Sequence, residues 1–176
     1  MEDLVQHLKS TIRDIPDFPQ PGILFKDITP VLADPKLLRA TINRFAEEYT
    51  GRHIDAVVGM ESRGFIFGAP LAMELGAAFV PARKPGKLPW GTESRSYELE
   101  YGTDELEVHT DAIAPGERVL VVDDVIATGG TAAAAVQLVE SLGGVVAGVG
   151  FVIELAFLGG AARLGDHEHV ALLTYR

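Results

Sequence analysis

Apolar residues recur at helical spacing at the start of the chain. Leu4, Val5, Leu8, Ile12 and Ile15 mark one face and predict an amphipathic helix over residues 3–14. The stretch IPDFPQPGILFKDITPVLADP then carries five of the ten prolines. That excludes a regular helix or a central strand and predicts a long irregular segment, a kind that often carries function. A surface wrap that packs Phe18 and Phe25 is the plainer alternative. Asp34 followed by Pro35 reads as a helix start, a capping carboxylate before proline at the first helical position. Leu37, Leu38, Ile42, Phe45 and Tyr49 carry the apolar face of that helix to about Thr50.

Beyond this point the pattern alternates between buried strands and helices. IDAVVG (54–59) reads as a strand, GFIFGAPLAMELG (64–76) as a helix with a glycine stop, and AAFVPA (77–82) as a second strand. Residues 83–95, RKPGKLPWGTESR, are polar and rich in Pro and Gly. SYELEY and DELEVHT alternate polar and apolar residues and predict an antiparallel pair around Gly102. Pro115-Gly116 makes a turn. VLVVDD is a buried strand, residues 131–142 an alanine-rich helix stopped by Gly143-Gly144, and VVAGVGFVIE and HVALLTY two further strands. Strand–helix alternation from Ile54 onward predicts an α/β fold: a central parallel sheet flanked by helices, with a small antiparallel flap.

Composition narrows the class. The 176 residues fit a single domain spanning 1–176, and 47% hydrophobic against 23% charged residues is the balance of a globular protein. The chain has no cysteine, which excludes disulfides, thiolate metal sites and a cysteine nucleophile. A net charge of −10 argues against nucleic acid and anionic membrane as partners. MEDLVQHLKS has neither a basic n-region nor an apolar h-region, so no secretory signal is expected. The longest nearly unbroken apolar stretch, LGGVVAGVGFVI, is too short to cross a bilayer as a helix. A cytoplasmic protein is expected.

The sharpest chemistry lies in VLVVDDVIATGGTAAAAV. A buried parallel strand delivers Asp123 and Asp124 to its carboxyl end, where open α/β sheets bind ligands. The turn Ala127-Thr128-Gly129-Gly130-Thr131 then opens a helix. Its glycines permit close backbone approach, and its N–H groups and threonine hydroxyls suit a phosphate. Two adjacent carboxylates repel phosphate and suit the vicinal hydroxyls of a ribose. A plain strand–turn–helix connection with Asp caps is the competing account; the coincidence of strand, Asp pair and Thr-Gly-Gly-Thr outweighs it. The motif is neither GxGxxG nor GxxxxGK[ST]. Arg83, Lys84, Lys87 and Arg95 concentrate positive charge in an acidic chain, which suggests a polyanion site on a lid-like loop. The five histidines form no metal set by spacing, and His167-Glu168-His169 reads as a polar loop before the last strand.

VVDD–ATGGT resembles the phosphoribosyl pyrophosphate (PRPP) motif of type I phosphoribosyltransferases. DFPQPGILFKDITPVL, GMESRGFIFGAPLA, RKPGKLP and SYELEYGTDELEVH, in order along the chain, resemble the adenine phosphoribosyltransferase family. The resemblance implies transfer of 5-phosphoribosyl from PRPP to adenine, giving AMP and pyrophosphate. Asp123, Asp124, Ala127, Thr128, Gly129, Gly130 and Thr131 would bind the ribose and its 5′-phosphate. Arg63, Arg83, Lys84 and Lys87 would bind pyrophosphate, beside a cis peptide bond at Glu61–Ser62. Leu24, Phe25 and Lys26, in an N-terminal hood of residues 1–34, would bind adenine. Residues 83–110 would be a mobile lid and flap, on which Glu100 is the implied acid/base and Tyr101 its associate. No residue is expected to hold a metal directly; Mg²⁺ would come with PRPP. A homodimer is implied, with Arg83 reaching the neighbouring site. Two alternatives stand: a phosphoribosyltransferase for another purine base, and a non-catalytic PRPP-sensing regulator. Lys26, Met60 and Glu61 depart from commoner family residues, and Trp90 has no assigned role.

Overall fold

The computed structural model of the chain describes residues 2–98 and 102–176, in two compact units, residues 1–44 and 45–176. The first begins with helix α1 (Glu2–Thr11), whose Leu8 is fully buried. The helix stops short of the expected residue 14. Ile15 precedes Pro16, and a residue before proline is pushed out of the helical region toward extended backbone. Residues Arg13–Pro16 accordingly form strand β1, antiparallel to β2 (Leu24–Asp27), with Ile15 opposite Phe25.

The proline-rich segment is therefore more regular than expected. It holds a two-stranded ribbon and a short helix α2 (Thr29–Ala33) with Pro30 in its first turn, where no intrahelical donor is needed. Between the strands, Asp17 Oδ1 accepts the Gly22 N–H at 2.8 Å, and Phe18 meets Phe25 edge-on with ring centroids 5.1 Å apart. Helix α3 (Pro35–Tyr49) starts where the Asp-Pro pair places it. Asp34 Oδ1 accepts the Lys36 and Leu37 N–H groups at 2.8 and 3.1 Å, and these bonds hold its carboxyl below the usual range.

The second unit is built on a five-stranded sheet. Its strands are β3 (Ala56–Met60), β4 (Ala78–Ala82), β7 (Arg118–Ile126), β8 (Val145–Leu155) and β9 (His169–Tyr175), all parallel in the order β4-β3-β7-β8-β9. The hairpin β5 (Thr92–Glu98) and β6 (Thr103–His109) is the expected antiparallel flap, with Tyr97 opposite Asp104. It starts earlier than the alternation suggested, because Thr92-Glu93-Ser94-Arg95 also pairs. Helix α4 (Gly64–Leu75) packs on β3, β4 and β7, and ends at Gly76, whose φ of +65° releases the chain. Helix α5 (Gly130–Ser141) packs on β7, β8 and the hairpin.

Register decides which side chains face which layer. Val58, Val121 and Val149 are neighbours across the sheet and share a buried cluster with Tyr97, Leu106 and Val108 of the hairpin and Ala135, Leu138 and Val139 of α5. On the other face Gly148 and Gly150 leave room for the rings of Tyr49 and Phe45, and the Tyr49 hydroxyl donates to Val149 O at 3.3 Å. The carboxyl ends of β3, β4 and β7 thus lie side by side, each running into a polar loop.

Candidate functional site

Three of those loops meet in one cleft of about 570 Å³, lined among others by Glu61, Arg63, Lys84, Tyr97, Asp123 and Asp124 and by residues 127–131. Strand β7 supplies the aspartates. Its hydrophobic run keeps the strand buried through Val122, and the chain then places two carboxylates at the rim. Asp124 is 3% exposed, and its Oδ2 meets Arg63 Nε at 2.9 Å. Asp123 Oδ1 accepts the Asp124 backbone N–H at 2.8 Å. Burial, reinforced by the charge of Asp124, pushes the Asp123 carboxyl well above the usual range. Burial also raises Asp124, against the pull of the Arg63 guanidinium.

The neighbouring turn needs small residues. Gly64 begins α4 against the end of β7: a side-chain carbon there would lie 2.8 Å from Val122 O and 3.0 Å from Asp123 Oδ1. Gly129 caps α5 with φ +79°. Its backbone interlocks with Gly160 of the short 3₁₀ turn Gly160–Leu164. A Cβ on Gly129 would sit 2.2 Å from Gly160 O, and one on Gly160 would sit 2.1 Å from Ala127 O. The loop 127–129 is therefore clamped from behind by backbone, with the start of α5 opening onto the cleft. Such a rim offers N–H groups, the positive end of a helix dipole and two threonine hydroxyls to an anion.

The basic segment after β4 is tied down by carboxylates. The Lys84 ammonium lies against Asp104, donates to the Tyr97 hydroxyl at 2.8 Å and sits 5.4 Å from the Tyr97 ring centroid. Burial works against its charge, but these partners outweigh burial and raise its pKa. Glu61 Oε2 accepts Arg83 Nε at 3.2 Å and the Lys84 backbone N–H at 3.0 Å, while Oε1 takes the Lys87 ammonium. Burial opposes ionisation of Glu61, yet the Lys87, Lys84 and Arg83 donors bring its pKa to about 2. The peptide bond between Glu61 and Ser62 is cis, as the resemblance implies.

The cleft thus gathers Arg63, Lys84, Asp123, Asp124, Ala127, Thr128, Gly129, Gly130 and Thr131. Arg83 and Lys87 join through Glu61. Arg95 instead turns to Glu93 and Ser94 on its own strand. Leu24, Phe25 and Lys26 lie on β2 of the first unit, where Leu24 is exposed and the Lys26 ammonium meets Asp14. Glu100 and Tyr101 lie outside the described residues. His167, Glu168 and His169 turn to three different partners, Glu140, Arg52 and Glu154. Among the described residues no three or more His, Asp or Glu side chains converge as metal ligands. No helix among them is long and apolar enough to cross a membrane.

Sequence reading missed three contributors. Glu61 stood only as a departure beside Ser-Arg-Gly, although a carboxylate next to that motif faces the same loops. Tyr97 looked like any aromatic in an alternating strand. Gly160 gave no signal, because nothing in Leu-Gly-Gly-Ala points to a loop thirty residues earlier.

Comparisons with known proteins agree with this geometry. Residues 31–163 match the phosphoribosyl transferase domain. An adenine phosphoribosyltransferase from Acaryochloris marina is 61% identical over 168 residues, covering 96% of this chain and 99% of that protein. The crystal structure of adenine phosphoribosyltransferase from Thermoanaerobacter pseudethanolicus superposes with a TM-score of 0.95 at 53% identity, covering 97% of this chain and 99% of that one. The adenine phosphoribosyltransferase from Saccharomyces cerevisiae, solved with an imino-altritol bisphosphate and adenine, superposes with a TM-score of 0.93 at 44% identity, covering 98% and 100%.

Proposed function

The chain belongs to the adenine phosphoribosyltransferase family, and from that premise we infer that it transfers 5-phosphoribosyl from PRPP to adenine, giving AMP and pyrophosphate. One observation carries the reading: the Asp123–Asp124 pair, the 127–131 loop and Arg63 line a single cleft at the carboxyl end of β7. Asp123 and Asp124 accept hydrogen bonds from the ribose hydroxyls. The 127–131 loop and the start of α5 hold the 5′-phosphate. Arg63, Arg83, Lys84 and Lys87 take the charge of the departing pyrophosphate as positive charge develops on the ribose. Held this way, the anomeric carbon meets the purine in a fixed orientation, which supplies much of the rate.

Leu24, Phe25 and Lys26 are proposed to bind adenine, Phe25 by stacking and its neighbours through backbone groups. Glu100 is proposed to manage the purine proton, with Tyr101 beside it. Mg²⁺ is proposed to enter with PRPP, where it neutralises pyrophosphate charge. The metal would be carried by the phosphate oxygens of the substrate, and no side chain of the protein is assigned to it. A cytoplasmic homodimer with 1–176 as one functional domain completes the proposal, supported by the family resemblance.

The test is pyrophosphate release with PRPP and Mg²⁺ against adenine, hypoxanthine, guanine, xanthine and uracil in parallel. Turnover with adenine alone is expected. Turnover with another base would discard the adenine assignment, and PRPP binding without turnover on any base would make the protein a sensor.

A further inference from the structure

Every cation proposed for pyrophosphate already faces a carboxylate of its own chain. Arg63 faces Asp124 and Lys84 faces Asp104, while Arg83 and Lys87 share one partner, Glu61. Glu61 is the unusual member. Its side chain is only 11% exposed, it lines the cleft, and both oxygens are engaged by donors from the segment that follows β4. A two-oxygen anion receiving a guanidinium, an ammonium and a backbone N–H has the donor set that a phosphate group takes. We infer that Glu61 is an internal anion that competes with pyrophosphate for Arg83 and Lys87, so that it weakens the grip on pyrophosphate and speeds its release. The inference rests on the pyrophosphate assignment proposed above.

Arg83 spends its Nε hydrogen on Glu61 and one Nη1 hydrogen on Lys87 O at 3.2 Å, so the edge of the guanidinium carrying Nε faces the carboxylate. Pyrophosphate that takes the Arg83 Nε edge or the Lys87 hydrogen now held by Glu61 displaces the carboxylate, and pyrophosphate that takes the remaining N–H groups shares the two cations with it. In both cases a carboxylate stays close to a polyanion in a half-enclosed site, and like charges there repel. The pKa of about 2 keeps Glu61 charged across the whole neutral range, so the competitor is constant. Because it is tethered, it retakes the cations as soon as a phosphate oxygen lets go. If Glu61 instead merely aligned the cations for pyrophosphate, its removal would loosen binding. The two roles predict opposite signs.

Magnesium pyrophosphate is titrated calorimetrically into the full chain and into Glu61→Gln, which keeps the shape and removes the charge. The expected Kd falls about tenfold, equivalent to about 1.4 kcal/mol. In adenine turnover the same variant should show stronger product inhibition by pyrophosphate and a lower kcat, with the first turnover unslowed. Glu61→Asp keeps the charge but shortens its reach, and its Kd should fall between the two. Should the Gln variant not fold, the Asp variant decides. Pyrophosphate binding that is unchanged or weaker in either variant overturns the inference. A wild-type chain that turns over adenine and binds pyrophosphate leaves the proposed function standing whatever the variants do; one that binds no pyrophosphate overturns the assignment beneath both.

Discussion

Replacing Gly160 by alanine tests whether the backbone clamp behind residues 127–129 positions the loop proposed to hold the 5′-phosphate. The added Cβ would lie 2.1 Å from Ala127 O and 2.8 Å from Gly129 N. Reaching even 3.0 Å requires the two backbones to part by about 0.9 Å at the carbonyl. Leu164, 2% exposed, anchors the Gly160 turn, so the movement falls largely on the loop. Overpacking of this kind costs about 1–3 kcal/mol of stability. Displacing a positioning element by about 1 Å can cost about 100-fold in rate. Gly159→Ala is the matched control: Gly159 has φ +67° but nothing within 4 Å of its missing Cβ. Alanine there costs about 1–2 kcal/mol through backbone strain alone. Thermal unfolding should therefore show both variants destabilised by similar amounts, while steady-state kinetics should show kcat/KM for PRPP falling about 100-fold only in Gly160→Ala. Equal kinetics in the two variants would refute the clamp.

Other expectations follow from the same geometry. Asp124→Asn should raise KM for PRPP by about 10- to 100-fold, the worth of one hydrogen bond to a charged group, while urea unfolding shows little loss of stability. Asp123 has its folded pKa raised, so its contribution to stability is present below the ordinary value of 3.8 and lost as pH rises through the folded pKa. Asp123→Asn should flatten that loss and unfold at a higher temperature than wild type at neutral pH; parallel pH profiles would contradict it. Trp90 is 71% exposed in the basic segment expected to act as a lid. Saturating PRPP should shift its emission as the lid closes, and an unchanged spectrum would exclude closure over the indole.

The fold was legible wherever one period dominated. The runs around Val57, Val121 and Phe151 read as buried strands because each stays apolar through the sheet and ends in a polar turn. Asp34-Pro35 and Gly76 marked helix ends through local chemistry that tertiary contacts did not override. The ribbon pairing Ile15 with Phe25 was hidden because each strand is only four residues long and prolines interrupt it. The grouping of Asp123, Asp124 and residues 127–131 along one cleft was legible because Asp-Asp and Thr-Gly-Gly-Thr are nearly contiguous on one strand–turn–helix connection. Lys84, Asp104 and Tyr97 were not legible as a group, since the hairpin register that joins them is a property of pairing rather than of either strand.

The parallel sheet also governs when the cleft can come into being during synthesis. Strand β3 lies between β4 and β7, so Val57 must wait for Leu120. Until β7 has been made, the growing chain holds Arg63 and the basic segment but neither the aspartates nor the 127–131 loop. The hairpin β5–β6 pairs locally and can form first, carrying Asp104 to Lys84. The β3–β7 pairing closes a long loop and comes late, leaving the edge of β3 unpaired on the nascent chain. A chain truncated before Arg118 would thus leave the β3 edge unpaired and lack both aspartates and the 127–131 loop.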